Sequence, residues 1–466
     1  MSLSRQFASF VAGLSFDDLP DAVVDRAKGV TLHALASALL AHGKPAARQA
    51  LALMREEDGP AGVATVLCSG DKLTKSGAAF VNSEMILAGG KWDTFRMLTH
   101  PGAAIIPAAL AAAEITRCSG REFLTGLVAG YEVMERMAAE FIPTVMARGF
   151  HAGPVFGIFG AAVAAAKIQG LNEDQIHSAI AQCVNLAGGN LEGGRSGGRS
   201  LREGAAVRNA LLAVSMARLG TPGGETTLEG DAGFYHAYAG SNSGRLTHSF
   251  TGKLTADLTR ITEGLGREWI FLETLYRIYS IAGFNIAHID VTAQLCAEHG
   301  IRPADIARIE SVVNWFETQY PSPAFPTPGS SSKAKRGSTH YFAAYGAATG
   351  GYSMLRNMLE GNAEPDPPEV LDLMTRVTLI PSVDRPLFAP RVTVFTKDGR
   401  SFTRESTGRE FIWDFDEEVR RIRTIEPGIA LSPQQFAALI EACRNLDHDA
   451  AVARDVIPLT ICAPAS

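Results

Sequence analysis

Cysteine is scarce in this chain. The six residues, Cys68, Cys118, Cys183, Cys296, Cys443 and Cys462, stand far apart and form no CxxC pair. That excludes a zinc framework and a disulfide-stapled scaffold and fits reduced thiols in a cytoplasm. Long apolar runs are also missing. None reaches the ~18 residues that a membrane span needs, and the opening Met-Ser-Leu-Ser-Arg-Gln has no secretory-leader pattern. No membrane association and a cytoplasmic location are therefore expected. Charge is thin and slightly acidic, at 20% of residues and a formal net charge of −6. This argues against a general nucleic-acid binder and leaves room for a local basic pocket. Helical His/Glu spacing of the metal-binding kind is absent, so no metal is expected. No fixed-period repeat is evident.

What the chain has in quantity is small residues. At 466 residues it is long enough for two or three domains and a large core. Residues 149–170 are the stretch around which the rest is organised: His151 stands at the mouth of a loop, and a helix made mostly of Gly, Ala and Val follows. Such a helix has little bulk and lets other helices pack closely around it. Each interior glycine costs ~1 kcal/mol against alanine, so the helix belongs in the middle of a helical domain. Its N-terminal end, with partial positive charge and unpaired N–H groups, suits an anion.

Taken in order, residues 5–19 and 20–42 read as two helices with Pro20 at the second start. Residues 61–68 read as a short strand or extended link, and residues 76–89 as a helix. A polar loop, residues 89–103, carries Lys91, Asp93, Arg96 and His100 ahead of Pro101 and an alanine-rich helix to 116. Helices over 121–140, 152–170, 173–187 with Asn172 as cap, and 205–219 follow. Residues 188–204 are glycine-dense and hold Arg195, Arg199 and Arg202. This loop lacks both the Gly-Lys-Ser/Thr ending of a phosphate loop and the dinucleotide fingerprint, so no nucleotide cofactor is read from it. Composition shifts near 265. Strand character at 309–316 and 376–380 and a hairpin at 391–396 and 401–404, turning on Lys397-Asp398-Gly399-Arg400, surround a helix at 341–359 and give a small α+β domain. Residues 415–446 return to helix.

Three polar loops, at His100, His151 and Arg199, could together make an anion pocket. A single histidine is more often structural than catalytic, and the glycine loop could be a plain linker. Asp93 is either an orienting or proton-sharing group or a helix cap. Lys333, Lys335 and Arg336 precede a helix; they read either as a solvated basic loop or as a lid over an anionic substrate.

The order of these pieces resembles the MmgE/PrpD family. The matching stretches are His100-Pro101-Gly102-Ala103, Gly130-Tyr131-Glu132-Val133, Gly149-Phe150-His151 and Leu228-Glu229-Gly230-Asp231-Ala232-Gly233-Phe234. The resemblance covers most of the chain, most strongly residues 80–235. It implies a mainly α protein: a large all-helical domain from both chain ends, 1–264 and 407–466, and a smaller α+β lid domain, 265–406. It also implies a cytoplasmic homodimer that works without cofactor or metal on a small anionic di- or tricarboxylate, by proton movement beside a carboxylate. A hydro-lyase is the first reading; an epimerase, a decarboxylase and a non-catalytic carboxylate-binding relative are the others.

Carried over residue by residue, the resemblance makes His151, His100 and Asp93 the catalytic candidates. Arg199, Arg202, Arg277 and Tyr279 become substrate-binding ones, joined by Lys333, Lys335 and Arg336 of the basic loop read as a lid. The chain departs from the family pattern at three places. Lys91-Trp92-Asp93-Thr94-Phe95 replaces an Asp-Phe-Asp-Asp-Thr-His-like segment, Arg199-Ser200-Leu201-Arg202 replaces Lys-Pro-Leu-His, and Arg277-Ile278-Tyr279 stands at a Lys-x-Tyr pattern. Arginine holds its proton, so these positions suit carboxylate binding rather than proton transfer.

Overall fold

The computed structural model describes residues 1–41, 43–58, 62–195, 201–277, 279–319, 334–352, 365–448 and 450–462. The protein is mainly α. It divides into two compact units. The larger holds Met1–Thr247, Thr255–Tyr276 and Trp413–Ser466; the smaller holds His248–Leu254 and Arg277–Ile412.

In the larger unit the helices run α1 (Leu3–Gly13), α2 (Asp21–Leu40), α3 (Pro45–Asp58), α4 (Lys75–Gly89), α5 (Pro101–Thr116), α6 (Gly120–Ala138), α7 (Ile142–Ala147), α8 (Ala152–Ile168), α9 (Glu173–Leu186), α10 (Leu201–Arg218) and α11 (Phe234–Ala239). Two short antiparallel ladders join them: β1 (Ala64–Thr65) with β2 (Lys72–Leu73), and β3 (Asp93–Thr94) with β4 (Leu275–Tyr276). The first helix stops at Gly13 rather than running to 19. Ser15 and Asp18 form their own capping box there, which competes with helix continuation. Helix α8 is buried along nearly its whole length and packs against α5, α6 and α10. Its small side chains let the neighbours approach until backbone meets backbone. A Cβ on Gly160 would lie 2.8 Å from the Gly130 carbonyl oxygen of α6.

The chain's C-terminal part completes this unit. In α15 (Phe415–Ile422) the Glu418 carboxylate meets His33 Nδ1 of α2 at 2.6 Å and accepts from Trp413 Nε1 at 2.7 Å. Both Glu418 and His33 are buried. Residues 415–446, read as helical, are α15, a 3₁₀ segment over Arg423–Gly428 and α16 (Pro433–Arg444).

The smaller unit is built on a four-stranded sheet of β5 (Ile306–Asn314), β6 (Val377–Ser382), β7 (Arg391–Thr396) and β8 (Ser401–Glu405) in the order β6-β5-β7-β8. Only the β5–β6 pair is parallel. The β7–β8 hairpin turns where the sequence requires it, with Gly399 at φ +89°, a conformation that costs glycine nothing. Helices α12 (Gly283–Glu298), α13 (Thr339–Thr349) and α14 (Pro368–Met374) complete the unit. His288 of α12 is buried between the Phe284 carbonyl (2.7 Å) and Ser311 Oγ of β5 (2.9 Å); burial lowers its pKa to about 4, so it is a neutral structural histidine.

Candidate active site

The site is assembled where three helices of the larger unit begin. Asp93 comes first, because it organises one of those ends. It is buried, and both its carboxylate oxygens lie 3.0 Å from the Gly102 N–H in the first turn of α5. Tyr131 Oη of α6 donates to Oδ2. Burial pushes the Asp93 carboxyl up; the Tyr131 and Gly102 hydrogen bonds and the nearby His33 pull it back. The carboxylate is thus the cap of α5. The backbone carbonyl of Asp93 acts separately, on the histidine: His100 Nδ1 lies 3.1 Å from it and 3.4 Å from Thr94 Oγ1. A carbonyl only accepts, so Nδ1 carries a proton and, in the base form of the imidazole, the lone pair is on Nε2. The ring leans on Trp92, centroids 4.4 Å apart. The connecting loop holds Arg96 and Leu98 at φ +50° and +65°, the kind of backbone strain that persists only where its surroundings enforce it.

His151 caps α8 with its own side chain. Nδ1 accepts the Gly153 N–H at 3.2 Å. A backbone N–H only donates, so this imidazole has its lone pair on Nδ1 and its proton on Nε2. The two histidines therefore stand in opposite tautomers at the starts of two helices that touch. A Cβ on Gly157 of α8 would lie 3.1 Å from the Ala104 Cβ of α5, and one on Gly160 would lie 2.7 Å from Ile105 Cδ1. Both chains advance together along the contact, so their positive N-terminal ends share one side.

Two carboxyl groups that sequence reasoning missed lie here. Glu203, in the first turn of α10, is 1% exposed; its Oε1 is 3.9 Å from His151 Nδ1 and its Oε2 is 3.7 Å from Arg202 Nε. Glu84 of α4 is equally buried and accepts the Gly204 N–H at 3.3 Å. Next to it Ser83 Oγ donates to the Ala103 carbonyl at 2.6 Å, so residues 83 and 84 tie the starts of α5 and α10 together. Burial first, and the Glu203 charge second, push the Glu84 carboxyl up to about 8; the Gly204 N–H and Arg202 oppose them. The start of α8, read as open to an anion, is faced by the protein's own Glu203. No local signal marked Glu84, which stands in the mixed run Phe80-Val81-Asn82-Ser83-Glu84-Met85-Ile86.

The sign of the Glu84 shift gives a prediction. Its pKa is higher folded than unfolded, so the folded state holds the extra proton. Its stabilising contribution is complete below pH 4.5 and is lost as pH rises towards about 8. Glu84→Gln should flatten that decline by on the order of a few kcal/mol. Urea unfolding of both proteins across this range checks it; parallel curves would remove the assignment.

The other sequence candidates divide as follows. Arg202 is near the site, with its charge turned partly to Glu203. Arg199 and Lys333 lie outside the described residues. Arg277, Tyr279, Lys335 and Arg336 belong to the smaller unit. There the Arg277 guanidinium donates to the Ile281 carbonyl, and Tyr279 packs edge-on to Tyr352 at 5.4 Å. Arg336 pairs with Asp366 at 2.8 Å, and Lys335 is exposed.

Comparison with known proteins gives a coherent result. The MmgE/PrpD N-terminal domain matches residues 5–246. A cis-aconitate decarboxylase-like protein of Aspergillus oryzae is 27% identical over 63% of this chain, a match that spans only 61% of that relative. Human cis-aconitate decarboxylase is 27% identical over 96% of this chain and 92% of its own length. The Aspergillus terreus cis-aconitate decarboxylase is 26% identical over 86% and 84%.

Proposed function

This chain belongs to the MmgE/PrpD family, and from that premise we propose that it is a cofactor-independent lyase acting on a small di- or tricarboxylate by moving a proton at the carbon beside a carboxylate. The observation that carries the reading is the pair of histidines at helix starts, one with Nδ1 against a backbone carbonyl and the other with Nδ1 against a backbone N–H. His100 offers a lone pair at Nε2 and His151 a proton at Nε2, so His100 is the base and His151 the acid. Dehydration takes a proton from carbon and gives one to the departing hydroxyl; decarboxylation delivers a proton to carbon in exchange for CO2. Dehydration thus uses both a base and an acid, and decarboxylation uses the proton donor. Arg202 stabilises the developing negative charge. Asp93 is a positioning residue that holds His100 and α5. Family resemblance supports assigning Arg199, Arg277 and Tyr279 to carboxylate binding, and the charge of the basic loop supports Lys333, Lys335 and Arg336.

The test is incubation in deuterated water with cis-aconitate and a panel of hydroxylated and unsaturated di- and tricarboxylates, followed by NMR and CO2 detection. Deuterium on the carbon next to a carboxylate, with loss of water or CO2, is expected. Exchange without either loss would make the protein an epimerase. Binding by thermal shift without exchange would make it a non-catalytic relative, the reading that the arginines at family lysine and histidine positions favour.

A homodimer is part of the proposal, and α10 supports it. Leu201, Leu212, Met216 and Leu219 are 54%, 49%, 39% and 73% exposed. The last three repeat at four- and three-residue steps and so lie on one face. Apolar surface of this kind marks an association site, and a two-fold axis would bury it against itself. Light scattering should give twice the 49.5 kDa chain mass for the native protein and the single mass for Leu212→Glu/Met216→Glu. A monomeric native protein would overturn it.

A further inference from the structure

Cys68 and Cys462 sit almost four hundred positions apart in the sequence, yet the larger unit brings them side by side. The Cys68 N–H donates to the Thr460 carbonyl at 3.2 Å, and the Cys462 N–H donates to the Cys68 carbonyl at 2.8 Å. These bonds form a parallel bridge between Cys68 and Ile461. Gln435 of α16 holds the same strand by donating to the Leu459 and Ile461 carbonyls at 3.0 and 2.8 Å. Cys68 itself is at φ +63°, in the left-handed region that a non-glycine residue occupies only when its surroundings hold it. The Cys68 thiol donates to the Ala38 carbonyl at 3.8 Å, and it and the Cys462 thiol lie close enough to shift each other's titration, Cys68 up and Cys462 down. Cys68 is 2% exposed, whereas Cys462 is partly open to solvent.

We propose that Cys68 and Cys462 are an oxidative modification site, converted by a low-molecular-weight disulfide such as oxidised glutathione into an intramolecular disulfide that fastens the C-terminal segment to the β1–β2 region. The Cys462 sulfur, as thiolate, attacks one sulfur of the oxidant, breaks its S–S bond and releases one thiolate. The Cys68 thiol then gives up its proton and attacks the Cys462 sulfur, expelling the second thiolate. Two protein thiols lose two electrons, and one disulfide is reduced to two thiols. The roles follow from the environment. The Cys462 thiol, beside that of Cys68, is held below its usual pKa, which favours the attacking thiolate, while Cys68 waits as the resolving thiol. The other four thiols are buried and pushed up by burial, so they stay unreactive. Closing so long a loop restricts the unfolded chain and raises the melting temperature.

The experiment uses the full chain, equilibrated with oxidised glutathione, alkylated and digested without reductant. A cross-linked peptide containing Cys68 and Cys462, lighter by two hydrogens, is expected, with the other four cysteines alkylated. Thiol reductant should reverse both the cross-link and a rise in melting temperature. Cys68→Ser should instead accumulate a stable glutathione adduct on Cys462, and Cys462→Ser should form no adduct on Cys68. Circular dichroism verifies that both variants fold, and the native-protein result stands without them. A lasting adduct on Cys462 of the native protein, indiscriminate modification, or no reaction would each overturn the proposal.

Discussion

Turnover falls by roughly 10²–10⁴-fold in both His100→Gln and His151→Asn, but only the first also loses deuterium exchange into the substrate. This is the expected outcome if His100 removes the proton from carbon and His151 supplies one afterwards. The asparagine substitution is chosen because His151 has two roles. Its Nδ1 accepts the Gly153 N–H, a cap whose loss costs about 1 kcal/mol. Asparagine is among the best capping residues and can accept the same N–H, so it removes the acid while keeping the helix start. His151→Ala loses both and should unfold slightly more easily than His151→Asn. Exchange that survives in His100→Gln and disappears in His151→Asn would reverse the roles. Near-normal turnover in both would remove the histidines from the chemistry.

The helix starts that frame this site could be read from the chain before its coordinates. The proline that opens α5 and the glycine–alanine pattern of α8 are local features, and each became the expected helix start. Asn172 caps α9 through the Gln175 N–H at 2.9 Å as its position suggests. What could not be read depends on contacts between distant segments. Glu84 and Glu203 look like ordinary surface acids in the sequence; only the packing of α4 against α10 buries them together. The choice between an orienting and a capping Asp93 was undecidable from spacing because the residue does both, one through its carbonyl and one through its carboxylate. The proton positions inferred for His100 and His151 follow from backbone partners, a carbonyl in one case and an N–H in the other. Cysteine spacing likewise gave no pair, because Cys68 and Cys462 meet only when the chain's last segment returns to β1.

Gly160→Ala tests the packing that holds these helix starts in place, and it should destabilise the larger unit by roughly 1–3 kcal/mol. Helix propensity argues the other way, since alanine gains up to ~1 kcal/mol over glycine in a helix interior. Contact geometry decides it. The added Cβ would lie 2.7 Å from Ile105 Cδ1, 2.8 Å from the Gly130 carbonyl oxygen and 2.9 Å from Met134 Cβ. The isoleucine end can rotate aside. The carbonyl belongs to the α6 backbone and cannot, so α6 and α8 must separate. The contact is reciprocal, because a Cβ on Gly130 would lie 2.6 Å from the Gly160 carbonyl oxygen, and Gly130→Ala should therefore behave alike. Gly13→Ala is the matched control: nothing lies within 4 Å of its Cβ, so it should be neutral or stabilising. Because α8 begins at His151 and touches α5 through Gly157, separating α8 from α6 also shifts the acid relative to the base. The exchange assay should then lose activity in Gly160→Ala under conditions where the protein is still folded. Urea unfolding that ranks Gly160→Ala with Gly13→Ala would mean that the helices have slack, and that the close approach of α6 and α8 does not position the site.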